Sequence, residues 1–97
     1  METNTFFMKN SEILEGFKKK CDSLNIEYQE DENGIRAEHK KPSAEGSVRL
    51  KVVCEFDNLA TMILIVEAPG IKFFGTGEHS YEEALRKLEA GKIMYNA

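Results

Sequence analysis

The strongest constraint on the fold lies in SVRLKVVCEF, residues 47–56, where apolar and charged side chains alternate. Val48, Leu50, Val52, Cys54 and Phe56 fall on one side of an extended chain, and Arg49, Lys51, Val53 and Glu55 on the other, because successive side chains of a strand point to opposite faces. A strand with one apolar face needs neighbouring strands and an apolar layer laid across that face.

The flanking sequence supplies both. IEYQEDENGIRAEHK alternates on either side of Asn33-Gly34, a pair that readily takes the positive φ angles of a type I′ turn. A hairpin follows, with Ile26 and Tyr28 in one arm and Ile35 and Ala37 in the other. KPSAEG, residues 41–46, has loop composition and is expected to be mobile. Asp57-Asn58 offers the next turn. LATMILIVEAPGIKFF then reads as one strongly apolar strand. It is interrupted at Pro69-Gly70, where it is expected either to end or to bulge at an edge because proline lacks the N–H a ladder needs, with Ile71 to Phe74 as the stretch that would resume it.

Two helices frame these strands. In NSEILEGFKKKCDSLN, Ile13, Leu14, Phe17, Cys21 and Leu24 recur at helical spacing. Asn10 or Ser11 is placed to cap this helix, and Glu12, Glu15 and the lysines at 18 to 20 sit where the helix dipole favours their charges. Gly16, inside the helix, costs roughly 1 kcal/mol against alanine unless it marks a close approach. Near the C-terminus Ser80 and Glu83 have the spacing of a capping box. Tyr81, Ala84, Leu85 and Leu88 follow at helical spacing, and Gly91 is placed to end the helix.

The expected architecture is α+β in a single domain spanning residues 1–97: a helix, a four-stranded antiparallel sheet and a helix, with both helices on one face of the sheet. The length of 97 residues suits one modest core, and 41% apolar with 31% charged residues is ordinary for a globular chain. No apolar run reaches the roughly 18 residues that span a bilayer, and METNTFFMKN lacks the pattern of a secretory signal. Cys21 and Cys54, widely spaced on apolar faces, read as reduced core residues. A cytoplasmic location is expected.

Reaction chemistry is thin. FFGTGEHSYEEALRKL places Gly75-x-Gly77 before a helix start, the position of a phosphate loop. Glu78, Glu82 and Glu83 crowd that place and would repel a dianion, and neither Gly-Lys-Ser/Thr nor a third fingerprint glycine is present. The two glycines are therefore expected to serve turn geometry. His39 and His79 lack ligand partners at metal-binding spacing, and Glu30-Asp31-Glu32 lacks the glycine and distal glutamate of a calcium loop. No catalytic residue, cofactor or metal is expected. The net charge of −4 disfavours nucleic acid. A local basic surface is expected from Lys18, Lys19 and Lys20 with Arg49 and Lys51, joined by Lys40 and Lys41.

The extended TNTFF leading into SEILEGFKKKCDSLNIEY, the strand VRLKVVCEF, and GIKFF before the last helix together resemble the kinase-associated-1 domain. That module closes many AMP-activated, checkpoint and microtubule-affinity-regulating protein kinases. The resemblance implies a non-catalytic regulatory module. Its partner would be a protein, namely a kinase catalytic domain or adjacent regulatory segment, and it would bind anionic phospholipid weakly through Lys18, Lys19, Lys20, Arg49 and Lys51. FFGTGEHSYEEA is also similar to the last strand and helix start of double-stranded RNA-binding domains. In this chain the lysines that bind phosphate in those domains are replaced by Tyr81, Glu82 and Glu83, which implies at most a protein-binding copy. A ligand-binding or enzymatic pocket between sheet and helices is the rival class, and a dimer through a sheet edge or Phe73 and Phe74 is the third.

Overall fold

The computed structural model describes residues 8–97. The expected extended stretch at residues 3–7 lies outside them. The elements run α1 (Asn10–Ser23), β1 (Gln29–Asp31), β2 (Gly34–Ser43), β3 (Gly46–Phe56), β4 (Met62–Ala68), β5 (Ile71–Thr76), a 3-10 turn (Glu78–Ser80) and α2 (Tyr81–Asn96). The strands form one antiparallel sheet in sequence order.

The class is α+β as expected, with five strands rather than four. The extra strand arises at Pro69-Gly70, where the chain reverses instead of bulging. Ala68 pairs with Ile71 across these two residues, and Gly70 has φ +78°. Proline at the second position and a positive-φ glycine at the third are what a type II turn demands. The apolar residues on both sides hid the reversal, because two adjacent buried strands read as one run.

Three smaller expectations also change. The β1–β2 turn is built by Asp31, whose carboxylate accepts the Asn33 N–H at 2.8 Å. Asn33 does not take positive φ, and Gly34 follows the turn at φ +142°, so the sequence acts through aspartate first and glycine fourth. A Cβ on Gly34 would also collide with the Cys54 carbonyl. Residues 41–46, read as a loop, extend the ladder instead: β2 and β3 stay paired out to Ser43 and Gly46. Gly91 does not end α2; it is buried mid-helix, where an added Cβ would lie 3.3 Å from the Ala68 side chain and 3.4 Å from Val66.

Both helices cover the same face of the sheet. Ile13, Phe17 and Cys21 of α1 and Ala84 and Leu88 of α2 join one core with Ile35, Ala37, Leu50, Val52, Cys54, Met62, Leu64 and Val66. These sheet residues share one parity within each strand, and the register places them in line across the strands. Neither Asn10 nor Ser11 caps α1. Lys9 occupies that position, its N–H donating to the Glu12 carboxylate at 2.8 Å, and Asn10 instead donates to the Ala60 carbonyl of the β3–β4 turn. The C-terminus of α1 closes with Asn25 at φ +57° and Ile26 N–H donating to the Cys21 carbonyl, a Schellman arrangement that buries Ile26 beside the residue it bonds.

Candidate functional site

The helices leave the opposite face of the sheet bare, and its residues follow from the register. One row crosses Arg36, Val53, Ile65 and Phe74; the next crosses Glu38, Lys51, Glu67 and Lys72. The second row alternates in sign across four strands, the arrangement in which direct cross-strand neighbours attract. Arg49 adds to it diagonally, its guanidinium reaching Glu38 at 3.2 Å and Glu67 at 3.0 Å. Arg36 and Glu55 form a two-point pair at 2.8 and 3.2 Å, which raises the guanidinium pKa above its ordinary value.

Beside this charged band lies an apolar strip. Val53 is 2% exposed, Ile63 and Ile65 are half-buried, and Phe74 is 67% exposed. Phe73 points to the helix side and packs against the core. Consecutive residues of a strand must face opposite ways, so the Phe73-Phe74 pair delivers one aromatic ring to each face. Sequence reasoning named both rings without separating them; the parity of Val66 against Ile65, carried across the β4–β5 turn, holds the signal.

The five cations expected to form one basic surface are divided by the sheet. Lys18, Lys19 and Lys20 are on α1. Lys18 bonds Glu30 at 2.8 Å and Glu15 at 3.2 Å, and these acids push its pKa up to about 12. Lys20 reaches Glu89 of α2 at 3.0 Å. Lys19 is exposed. Arg49 and Lys51 lie on the bare face among Glu38 and Glu67. At the far end of the covered face, Lys41 stands 4.7 Å from the centre of the Tyr95 ring, tying the β2–β3 hairpin to α2.

The Gly-x-Gly stretch serves the turn into α2. Gly75 is buried where a Cβ would collide with Ser80, and Gly77 takes φ +63°. Ser80 does not complete a capping box; its hydroxyl accepts the Thr76 N–H at 3.0 Å, and Glu83 pairs with Arg86 and Lys87 instead. The cause is the 3-10 turn. It already sets Ser80 at helical dihedrals, whereas a capping residue leaves the helix extended.

His39 Nε2 donates to the Glu27 carbonyl at 2.7 Å, and His79 is exposed on the 3-10 turn. Among the described residues no group of three His, Cys, Asp or Glu side chains is gathered to hold a metal ion, no polar or charged residue is buried, and no helix is long and apolar enough to cross a membrane. A surface depression lies outside the core, where Val48 and Arg49 pass the β4–β5 turn beside Glu67, Pro69, Ile71 and Lys72. Comparison with protein-family models, curated proteins and solved structures returned no match to the chain.

Proposed function

We propose that the chain is a non-catalytic regulatory interaction module of the kinase-associated-1 type, which binds a protein segment on its uncovered sheet face. The observation that carries this reading is Phe74, a large aromatic ring left 67% exposed beside Ile65 and Ile63 and flanked by a charge ladder. An apolar centre bordered by polar groups is the anatomy of a recognition surface. Reading the chain as a pocket enzyme draws no comparable support, since the layer between sheet and helices is filled by apolar side chains.

Between the two partners implied by the resemblance, the charges favour protein over membrane. Attraction to an anionic bilayer is worth about 1 kcal/mol per cation near its surface and requires the cations to face it together. Here Lys18 and Lys20 face acids on one side of the sheet, and Arg49 faces acids on the other.

The test is a titration of the isotope-labelled chain with the catalytic domain of an AMP-activated or checkpoint-type kinase, and separately with phosphatidylserine vesicles. Amide shifts centred on Val53, Ile63, Ile65 and Phe74 are expected with the protein, and Phe74→Ala should weaken binding about tenfold. Shifts with vesicles alone, or none with the kinase domain, would overturn the reading.

A further inference from the structure

We propose that β5 joins two copies of the chain into one continuous sheet, with Lys72 of each copy paired opposite Phe74 of the other. β5 ends the sheet, and among the described residues no strand lies along its outer edge. The backbone groups free on that edge follow from the hydrogen-bond alternation of an antiparallel ladder. Ala68 and Ile71 close a two-residue turn, so Ile71, Phe73 and Gly75 direct their peptide groups toward β4, and Lys72, Phe74 and Thr76 direct theirs outward. Two observed bonds fit this assignment: Gly77 N–H continues the inward series to the Met62 carbonyl at 2.8 Å, and Thr76 N–H points away from β4 to the Ser80 hydroxyl.

Ser80 thereby occupies one outward donor. Among the described residues, the N–H and C=O of Lys72 and Phe74 remain for a new strand.

These groups restrict how a second β5 can pair antiparallel to the first. Outward groups must meet outward groups, which limits the choice to registers that keep the helix-covered faces on the same side. Placing Lys72 opposite Lys72 sets like charges in contact. Placing Phe74 opposite Phe74 puts Lys72 against Thr76, whose N–H is already bound to Ser80. The register between them places Phe73 opposite Phe73 on the two-fold axis and Lys72 opposite Phe74 on both sides of it.

In that register each Lys72–Phe74 pair exchanges two backbone hydrogen bonds, and neither needs Thr76. On the bare face each Lys72 ammonium lies between Glu67 of its own copy, its direct neighbour on β4, and the exposed Phe74 ring of the other. A cation is attracted to both. The edge is thus complementary to a second copy of itself, as an isologous interface requires. The proposal concerns the strand edge and not the partner on the sheet face, so a monomeric chain would leave the proposed function standing.

Sedimentation equilibrium of the full chain tests it. The expected species is a concentration-dependent dimer at twice the chain mass of 11.0 kDa. Lys72→Pro removes an outward N–H from an edge strand, where proline is tolerated, and Phe74→Lys sets two lysines opposite each other. Each should weaken the dimer more than about tenfold while the circular dichroism of the fold is kept. Both variants alter only the strand edge and the uncovered face, away from the helix-covered core, so they carry the test even if a third does not fold. That third variant, Phe73→Cys, should form an intermolecular disulfide across the two-fold axis, since opposed residues of a non-bonded pair lie about 4.5 Å apart. A chain that stays monomeric, or a dimer indifferent to Lys72→Pro and Phe74→Lys, would overturn the proposal. So would a monomer whose Lys72 and Phe74 amides are protected from exchange, because the edge would then not be open to a second copy.

Discussion

The Tyr81 hydroxyl at the start of α2 occupies the space that a Cβ on Gly16 of α1 would fill. The two helices are thus brought together by a ring standing over a residue without a side chain, and burial there raises the phenol pKa above its ordinary value, with Glu82 adding to the effect. Gly16→Ala should destabilise the fold, because the methyl group displaces that ring at a cost of about 1 to 3 kcal/mol. The same change in a Tyr81→Ala background should instead recover roughly the 1 kcal/mol that alanine gains over glycine in a helix. Urea unfolding of the four proteins in this cycle gives the coupling.

Gly70 tests the turn that makes the fifth strand. With φ +78° and open space where a Cβ would go, its requirement is purely conformational. Gly70→Ala should cost about 1 to 2 kcal/mol. A drop in thermal midpoint with unchanged far-UV circular dichroism is the expected result.

Gly91 makes the opposite case, since its need is for space. Gly91→Leu would force a branched side chain between α2 and the β3–β4 floor formed by Leu50, Val66 and Ala68. A loss of about 1 to 3 kcal/mol in chemical denaturation is expected. The same substitution at exposed Met94 should be close to neutral.

Burial pushes the Cys21 and Cys54 thiols up to about 12, whereas a thiol in an unfolded chain titrates near about 8.5. The folded protein therefore holds these protons at pH values where the unfolded chain releases them. This contribution is fully present below about pH 8.5 and is lost as pH rises toward 12. Between pH 8 and 10 the unfolding free energy should fall by on the order of 1 to 2 kcal/mol per thiol, and Cys54→Ala should flatten the decline. A profile with the same slope in the variant would contradict this. Native-state reaction of either thiol with a disulfide reagent should be slow.

Much of the architecture was legible because one physical rule governed each readable element. The alternation from Val48 to Phe56 could satisfy only a strand with one face buried, and the spacing of Ile13, Phe17 and Cys21 only an amphipathic helix. Illegible features were those in which two rules competed for the same residues. Pro69-Gly70 carries both a strand-breaking and a turn-making signal, and only the pairing of Ala68 with Ile71 selects the turn. Ser80 and Glu83 fit a capping box, but the Thr76 amide and the Arg86 and Lys87 side chains claim them first. The candidate surface was less legible than the fold. Whether Lys18 and Arg49 share a side depends on which face of the sheet the helix covers, a relation between distant segments that no local pattern encodes.

The meander also bears on how the molecule reaches its native state. Each strand hydrogen-bonds to its sequence neighbour, so the sheet can zip hairpin by hairpin with only short loops to close, and closure entropy grows with loop length. The longest closure is the docking of α1 beside α2, joined at the surface by Lys20 and Glu89, which are 69 residues apart. Refolding should therefore be paced by the meeting of α1 and α2 over a sheet already assembled.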